Sequence, residues 1–299
     1  MTKRHWLSAL TTAIGLAAAA PAQAEGVLGS LGRPVDLSLD GHRGDALFDF
    51  ATIAVTLLFI VMCTVIALAL LFHRSGHKAQ YDHGDQKKNL LLTAVLASIV
   101  FFGVDGTMLS HSYADITDAY YKYPTEEENP VKIEVLAQQW AWNFRYPGPD
   151  GKFNTADDIL TLNDMHVPVD RPVLLKIQSK DVIHSFYLPN FRVKQDAFPG
   201  SVTKMWFQAQ GDRLKPGQDM EFVEIGCAQH CGTNHYKMKG NLIIHTKDSY
   251  EAWHRDAAAD AERRFNAEDA EAQWGWDWQT EGKLTEVAAP TTPQHHGEE

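Results

Sequence analysis

The sequence predicts a membrane-anchored all-β protein, in which a hairpin of two transmembrane helices precedes a β-sandwich or small barrel. Apolar residues are concentrated near residues 46–72 and 89–104 of the 299-residue chain, whereas the remainder is mostly polar. Beyond residue 130, short alternating runs are bounded by Pro, Gly and Asp, and no long amphipathic helix interrupts them. Several short strands at this spacing are typical of all-β domains.

Residues 1–24 have the features of a secretory signal peptide. Two basic residues precede an apolar stretch at Ala9–Ala20, and the small-residue sequence Ala22-Gln23-Ala24 offers a cleavage site. The alternative, a first transmembrane helix, has an apolar core that is too short to cross about 30 Å of hydrocarbon. We therefore expect residues 1–24 to be cleaved, and residues 25–45 to form an N-terminal segment outside the cytoplasm.

Two longer apolar segments are expected to form the transmembrane hairpin. Residues 46–72 carry one charge, Asp49, near their start, and residues 89–111 are apolar through Val104. The connecting residues 73–88 carry four Lys or Arg residues, which favours a cytoplasmic position for this loop. The chain after residue 111 then lies outside, which predicts a multi-pass protein of a bacterial inner membrane with a periplasmic C-terminal domain.

The outer domain is predicted to span residues 131–247, after a linker at residues 112–130. Residues 248–299 form an acidic C-terminal helix and tail with 13 acidic and 4 basic residues, which account for most of the net charge of −11. Because no basic patch is present, nucleic-acid binding is excluded. The candidate strands of the outer domain are Val131–Leu136, Val173–Gln178, Val202–Ala209, Glu221–Ile225 and Asn241–His245.

The residues that carry chemistry are concentrated between two of these strands. Two thiols, an imidazole and a thioether, those of Cys227, Cys231, His235 and Met238, occur within one short stretch. Thiolate and thioether ligands favour copper, because zinc rarely takes a thioether and an iron–sulfur cluster needs more Cys or His residues. A one-copper blue site takes a single Cys, so the second thiol is well placed to bridge two ions. A disulfide between the two Cys is the alternative, and it leaves His235 and Met238 without a role.

A further imidazole is required from another part of the chain. His184 lies well upstream of Cys227, just after a predicted strand. Cupredoxin-type folds supply a metal ligand from a separate loop at such a position. We therefore expect His184 to join the copper ligands and the outer domain to be a cupredoxin-like β-sandwich or barrel.

Taken together, these residues resemble cytochrome c oxidase subunit II, the subunit that carries the binuclear copper centre called CuA. The resemblance covers the signal peptide, the helical hairpin and the outer domain to about residue 247. It rests on the aromatic run Gln139–Phe144, the blocks Asp181–Pro189 and Val193–Gly200, and the Cys-x3-Cys-x3-His-x2-Met motif.

The resemblance implies a ligand set for two copper ions. Both Cys residues would bridge the ions, and His184 and His235 would each bind one of them. Met238 would complete one coordination sphere, and the backbone carbonyl of Gln229 the other. The family usually has Glu at position 229, whose side chain reaches a magnesium or manganese ion at the interface with subunit I; the neutral Gln229 argues against that ion here.

The function implied is that of the electron-accepting subunit of an aa3-type cytochrome c oxidase. Electrons from cytochrome c, or another c-type cytochrome, would enter at Trp140, with Asp196 the clearest residue for docking of this donor. They would pass to the haems of subunit I, where oxygen reduction is coupled to proton translocation. Subunits I and III and membrane lipid are the implied partners.

Three other protein classes share some of these features. A membrane-anchored copper chaperone uses a similar pair of Cys residues with a distant His, but it would leave His235 and Met238 surplus. A quinol oxidase subunit has a similar fold without the copper ligands. A nitrous oxide reductase needs a large catalytic propeller that nothing in this chain provides.

A separate group of oxygen ligands lies at Asp150–Asp158. Asp150, Asn154, Asp157 and Asp158 are residue types that a hard cation such as calcium requires. Their spacing does not match an EF-hand loop, so a plain polar turn is favoured over a calcium site.

Overall fold

The computed structural model describes residues 32–73, 76, 78, 81, 83, 84, 86–215 and 217–264. The predicted signal peptide and the tail beyond residue 264 lie outside the described residues. The described chain divides into a helical unit, residues 32–36 and 40–122, and a β-rich unit, residues 37–39 and 123–264.

The helical unit contains the two apolar segments. Helix α1 spans Gly41–Phe72. The second segment is one helical stretch made of α2 (Lys87–Val100), a π-helical turn, α3 (Gly106–Asp115) and a second π-helical turn that ends at Tyr120. Both segments are long and apolar enough to cross a bilayer, and their apolar windows are not buried within the described chain.

Helix α1 is longer than predicted at its N-terminus. It begins at Gly41 rather than at residue 46. Its first turn is held by Arg43, whose guanidinium lies 3.2 Å from Asp40 and 3.4 Å from Asp115 of α3. Because these polar residues find ion-pair partners, they extend the helix beyond the apolar run that predicted it.

The second helical stretch also exceeds its predicted bounds. It begins at Lys87 rather than at residue 89, and it continues to Tyr120 rather than ending at residue 111, so the first part of the predicted linker is helical. Residues 112–120 contain neither Pro nor Gly, and the helix ends shortly before Pro124. The loss of apolar character after Val104 therefore did not coincide with the end of the helix.

The β-rich unit is a sandwich of two five-stranded sheets. Its strands are β1 (Val131–Gln138), β2 (Ala141–Tyr146), β3 (Ile159–Leu162), β4 (Asp164–Pro168), β5 (Val173–Ser179), β6 (His184–Leu188), β7 (Val193–Ala197), β8 (Thr203–Phe207), β9 (Met220–Cys227) and β10 (Lys239–His245). One sheet has the order β3-β2-β1-β5-β8, and the other has the order β4-β10-β9-β6-β7. The predicted fold class, two apolar helices followed by a β-sandwich, is confirmed.

The hydrophobic core lies between the two sheets, because alternate residues of the strands face inward. Trp142 and Phe144 of β2 meet Phe186 of β6, with ring centroids 5.2 and 6.3 Å apart. All three side chains are fully buried. This aromatic contact between the sheets fixes β6, the strand that begins with His184.

Half of the strands differ from the sequence prediction. The predicted strands correspond to β1, β5, β8, β9 and β10, whereas β2, β3, β4, β6 and β7 are absent from the prediction. The missing strands are short, and several carry polar residues that obscure the apolar alternation. As a result, His184 is the first residue of β6 rather than a residue of the loop after a strand.

Helix α4 (Lys247–Arg264) packs on the β-rich unit through an aromatic cluster. The ring of Trp253 stacks on His166 of β4, with centroids 4.1 Å apart and an interplanar angle of 8°. His166 Nδ1 lies 2.8 Å from His245 Nε2, and His245 Nδ1 lies 2.9 Å from the hydroxyl of Ser249. Burial, reinforced by the neighbouring His245, lowers the pKa of His166 to about 3, and burial also lowers the pKa of His245.

Candidate metal centre

Two strands and one loop supply the predicted metal ligands. His184 is the first residue of β6, and Cys227 is the last residue of β9. The loop between β9 and β10 carries Cys231, His235 and Met238. The structure therefore brings together all five side chains that the sequence predicts as ligands.

Strand pairing explains how His184 reaches Cys227. Strands β6 and β9 are antiparallel neighbours, with Phe186 opposite Cys227. The backbone N–H of Ala228 donates a hydrogen bond to the carbonyl of Ser185 (2.9 Å), which extends this pairing beyond the end of β9. The register thus places His184 beside the thiol, although the two residues are distant in the chain.

The loop after Cys231 turns back tightly so that its side chains face the thiols. The backbone N–H of His235 donates to the carbonyl of Gly232, and that of Met238 donates to the carbonyl of His235, each at 3.1 Å. Gly232 has a φ of +122°, a conformation that side-chain-bearing residues rarely adopt. These bonds fold the loop into a short 3₁₀ turn at His235–Lys237.

The thiol sulfurs form the middle of the site. Cys227 Sγ and Cys231 Sγ lie 3.8 Å apart. His184 Nδ1 is 3.9 Å from Cys227 Sγ, and His235 Nδ1 is 3.6 Å from Cys231 Sγ. Met238 Sδ is 3.1 Å from His184 Nδ1 and 3.7 Å from Cys231 Sγ. Ligands around one tetrahedral ion with bonds of about 2.0–2.3 Å are separated by about 3.3–3.8 Å, so these atoms are close to the spacing that a metal requires.

The donor set fits copper better than other ions. It combines two thiols, two imidazoles and a thioether, and Met238 and Cys231 are buried. The backbone carbonyl of Gln229 lies 3.2 Å from Cys227 Sγ, whereas the Gln229 residue as a whole is exposed. Among the described residues, His184, Cys227 and Cys231 form the one group of His, Cys, Asp or Glu residues whose ligand atoms could hold an ion together.

The two cysteines are free thiols, so the alternative disulfide is not formed in this structure. Burial, together with the neighbouring Cys227, raises the pKa of Cys231 to about 12. Burial also opposes ionisation of Cys227, but hydrogen bonds from His184 and from the backbone of Ser185 outweigh it and lower the pKa of Cys227 to about 6. One thiolate is therefore available to an incoming metal, which would displace the proton of the second thiol.

Asp181 orients the imidazole of His184. His184 Nε2 lies 2.9 Å from Asp181 Oδ1, and because an ionised carboxylate only accepts hydrogen bonds, Nε2 carries the proton. Nδ1 faces the sulfurs of Met238 and Cys227, and it is the nitrogen that would give up its proton to act as a ligand when a metal binds. A carboxylate that fixes the tautomer of a ligating imidazole is a recurrent feature of protein metal sites.

Trp140 lies beside the loop that carries Cys231. It is half-buried, and a Cβ built on Gly232 would lie 3.2 Å from its Cζ2 atom. Trp142, by contrast, is fully buried and meets the His184 ring edge-on, with centroids 6.2 Å apart. Of the two indoles, Trp140 is the one that reaches both the metal-site loop and the surface.

Three residues beside the site were given no role in the sequence prediction. Asp181 lies three residues before His184, a spacing that could have suggested a carboxylate next to the imidazole. Gln139 and Gly232 contact each other across two loops, and no local pattern signals such a contact. The spacing of residues along the chain does not show which separate loops approach each other in the fold.

Asp196, the predicted docking residue, is engaged in the fold. Its Oδ1 atom accepts a hydrogen bond from the Ser185 hydroxyl at 2.6 Å. Its backbone carbonyl accepts a hydrogen bond from Thr203 Oγ1 at 2.7 Å. The residue is half-buried, and its carboxylate supports the strand pair β6/β7.

The oxygen-rich turn at Asp150–Asp158 is built around a guanidinium. Arg145 of β2 is fully buried and donates hydrogen bonds to Glu134 (2.8 Å) and to Asn154 Oδ1 (2.7 Å). Its Nη1 atom lies 3.7 Å from Asp158 Oδ2. Because the guanidinium engages Asn154 and Asp158, and Asp150 and Asp157 accept hydrogen bonds from backbone N–H groups of the turn, the geometry favours the polar turn over a calcium site.

Comparisons with known proteins agree with this geometry. The family model described as cytochrome c oxidase subunit II, periplasmic domain, matches residues 131–245. The chain is 29% identical over 203 residues to the alternative cytochrome c oxidase subunit 2 of Bradyrhizobium diazoefficiens, covering 60% of this chain and 67% of the relative. It is 27% identical over 262 residues to cytochrome c oxidase subunit 2 of Synechocystis, covering 74% of each protein.

A solved structure is also similar. The periplasmic domain of subunit II of cytochrome oxidase of Bradyrhizobium japonicum is 24% identical, with a TM-score of 0.37, covering 46% of this chain and 96% of that one. The family match at residues 131–245 confirms the predicted resemblance and identifies the β-sandwich as cupredoxin-like.

Proposed function

The chain belongs to the family of cytochrome c oxidase subunit II, components of haem–copper oxidases, and we propose that it is the electron-accepting subunit of an aa3-type cytochrome c oxidase. Electrons from cytochrome c, or another c-type cytochrome, would reach the haems of subunit I by way of this chain. Oxygen reduction in subunit I would be coupled to proton translocation. The chain's own contribution is to hold the receiving metal site and to present it to the donor.

The observation that carries this proposal is the pair of adjacent thiols with an imidazole on each side. Cys227 and Cys231 would bridge two copper ions. His184 and Met238 would serve one ion, since Met238 Sδ lies near His184 Nδ1. His235 and the Gln229 carbonyl would complete the other. Copper ions bridged by two thiolates share one unpaired electron, so electron uptake requires little change in ligand geometry.

The surrounding residues keep the site rigid. His184 and Cys227 lie on paired strands of the sandwich, and Asp181 holds the imidazole from its far side. Trp140 supports the proposal because it joins the surface to the metal-site loop, where an indole offers an electronic path that an aliphatic side chain lacks. We therefore propose Trp140 as the residue through which electrons enter.

The proposal includes a location and a set of partners. The two apolar helices would anchor the chain in a bacterial inner membrane, with the β-rich domain in the periplasm and subunits I and III alongside. Asp196 would attract a basic donor cytochrome. The neutral Gln229 side chain leaves an interface magnesium or manganese ion without its usual carboxylate, which argues against that ion.

Copper content and spectroscopy of the full chain, purified in detergent, test this proposal. We expect two copper ions per chain and an electron paramagnetic resonance pattern of one electron shared by two copper nuclei. Cys227→Ser and Cys231→Ser should each abolish that pattern, whereas Cys63→Ser, a change in helix α1, serves as the control. One copper ion per chain with a blue-copper spectrum would refute the binuclear site.

The copper-chaperone alternative makes a different use of the same residues. A chaperone binds its metal with the two thiols and one distant imidazole, and it leaves His235 and Met238 unused. In the structure both of these side chains face the thiols, at 3.6 and 3.7 Å from Cys231 Sγ. This convergence supports a permanent redox site over a transfer site.

A further inference from the structure

The turn between β1 and β2 is attached to both sides of the metal site through Gln139. The Nε2 atom of Gln139 donates a hydrogen bond to the backbone carbonyl of Cys231 at 2.7 Å. Its backbone N–H donates to Asp181 Oδ2 at 2.6 Å, and the other oxygen of that carboxylate lies 2.9 Å from His184 Nε2. The residue before Trp140 is thus bonded directly to one ligand residue and, through a single carboxylate, to a second.

The contact with Gly232 shows how closely this turn approaches the metal-site loop. A Cβ built on Gly232 would lie 2.9 Å from Gln139 Nε2 and 3.2 Å from Trp140 Cζ2. The Gln139 amide and the Trp140 indole therefore both lie against the backbone next to Cys231. Gln139 is itself exposed, so its hydrogen bonds rather than core packing hold it in place.

We propose that Gln139 is a positioning residue: by bonding to the Cys231 carbonyl and the Asp181 carboxylate, it holds the Trp140 indole against the metal-site loop and controls how readily an electron crosses from the donor protein. This inference rests on the proposed function, because it assumes that electrons arrive through Trp140. In the transfer, the haem iron of the donor loses one electron and the metal site gains it, and no covalent bond forms or breaks.

The physical basis is the steep fall of electronic coupling with distance across non-bonded contacts. Loss of the Gln139 side-chain donor would leave the turn held only by its backbone hydrogen bond to Asp181, and the indole would spend part of its time away from Gly232. The ligand atoms would stay in place, because His184 and Cys227 are held by the strand pair β6/β9. Electron acceptance from the donor would then slow while the metal site itself stays intact.

The test compares three variants of the full chain assembled in its oxidase. Gln139→Met keeps the length of the side chain but removes the hydrogen-bond donor. Gln138→Met makes the same change one residue earlier and serves as the matched control. Trp140→Leu removes the indole and tests the proposed route itself. For each variant, reduction of the metal site is timed with reduced cytochrome c and with dithionite, which needs no docked donor, and copper content is measured.

We expect Gln139→Met to slow reduction by cytochrome c several-fold, while its reduction by dithionite, copper content and copper spectrum match the wild type. Gln138→Met should behave like the wild type in every assay. A normal cytochrome c rate in Gln139→Met, beside a slow rate in Trp140→Leu, overturns the positioning role alone. A normal rate in Trp140→Leu overturns the proposed route, and the role of Gln139 falls with it.

A second measurement does not depend on loaded enzyme. In the copper-free full chain, the backbone amide of residue 139 should exchange its hydrogen about fivefold faster in Gln139→Met than in the wild type, as expected for loss of one ordinary hydrogen bond that restrains the turn. The Gln138→Met chain should show the wild-type rate at that amide. Equal exchange rates in Gln139→Met and the wild type would show that the side chain does not hold the turn, and would overturn the proposal.

Discussion

At the scale of single residues, five of the proposed ligand atoms belong to side chains and one belongs to the backbone. His184, Cys227, Cys231, His235 and Met238 direct side-chain atoms towards one another, whereas Gln229 directs only its carbonyl oxygen, 3.2 Å from Cys227 Sγ. A backbone ligand is insensitive to the side chain it carries. The identity of residue 229 is therefore free to serve a different purpose, and in this chain it is a neutral amide.

We predict that Gln229→Glu leaves the copper spectrum nearly unchanged and creates a site for a divalent ion in the assembled oxidase. The carbonyl that faces the thiol is retained, and the new carboxylate supplies an oxygen ligand that hard cations prefer. Electron paramagnetic resonance of the variant loaded with manganese measures both effects, with Gln229→Met as a control that adds no charge. Loss of the copper signal in Gln229→Glu would show that the side chain itself supports the copper site.

The residues proposed as ligands could be selected from the sequence because four of them lie in one short stretch of chain. Thiol, imidazole and thioether donors in one short stretch favour copper, so residue type and spacing led to the proposal of Cys227, Cys231, His235 and Met238 as ligands. The residues that orient these ligands were not predictable in the same way. Asp181 and Gln139 act across loops that are brought together only when β1, β5 and β6 are in place.

At the scale of elements, part of the metal site lies on β6, a strand that the sequence pattern does not reveal. Strand β6 is five residues long and begins with His184, and its neighbour β7 carries Lys194, Gln195 and Asp196. Polar residues in such short strands hide the period of two that reveals longer ones such as β1 and β5. The same polar residues are useful at this edge, where the Ser185 hydroxyl binds the Asp196 carboxylate.

Strands β1 and β2 are joined by a buried ion pair, which yields a prediction about stability. Arg145 and Glu134 are both buried, and removal of one partner leaves the other charge uncompensated. We predict that Arg145→Met lowers the free energy of unfolding by about 3–5 kcal/mol. Urea unfolding of the full chain in detergent, monitored by far-ultraviolet circular dichroism, provides the measurement.

The double variant Glu134→Leu, Arg145→Met is the control for this pair. It should recover part of the loss, because Glu134 no longer leaves an uncompensated buried charge, whereas Asp158 still loses its contact with the Arg145 guanidinium. Equal losses in the single and double variants would show that packing rather than charge is responsible. Added millimolar calcium should not stabilise the wild type, since the Arg145 guanidinium already contacts Asn154 and Asp158, two of the four candidate ligands.

The docking of helix α4 is predicted to weaken in acid. Burial lowers the folded-state pKa of His166 to about 3 and also lowers the pKa of His245. A base with a depressed pKa favours the folded state only while it is neutral. The free energy that holds α4 in place is therefore undiminished at pH values above about 6.5, the pKa of an unfolded histidine. It decreases as the pH falls towards 3, by at most about 1.4 kcal/mol per pH unit for each histidine.

Hydrogen exchange of residues 247–264 between pH 7 and pH 5, corrected for the intrinsic pH dependence of exchange, measures this effect. We expect local opening of α4 to increase as pH falls, while residues 131–146 remain protected. The control His166→Phe retains an aromatic ring to stack on Trp253 and removes one titrating group, so its pH dependence should be shallower. A pH dependence equal to that of the wild type would exclude His166 as a source of the effect.

At the scale of the whole molecule, the distribution of charged and apolar residues along the chain predicts its division into parts. Most of the net negative charge lies in residues 248–299, and four Lys or Arg residues lie at residues 73–88, between the two apolar helices. This pattern predicted the division into a helical unit and a β-rich unit. It did not predict that residues 37–39, which precede the first helix, belong to the β-rich unit, where Leu37 N–H donates to the Asn190 carbonyl at 2.9 Å. A segment of only three residues, Leu37-Ser38-Leu39, gives no sign of a pairing so remote in the chain.

The proposed orientation leads to a prediction about labelling of the two sides of the membrane. The positive-inside rule assigns residues 73–88 to the cytoplasm and the β-rich domain to the periplasm. Lys78 and Glu127 are both exposed, so a cysteine at either position is accessible to solvent on its own side. In intact spheroplasts, a membrane-impermeant maleimide should label Glu127→Cys at once and should label Lys78→Cys only after lysis. The wild type, with its three native cysteines, sets the background for both. Immediate labelling of Lys78→Cys together with protection of Glu127→Cys would reverse the orientation and would place the metal site on the wrong side of the membrane for a periplasmic donor.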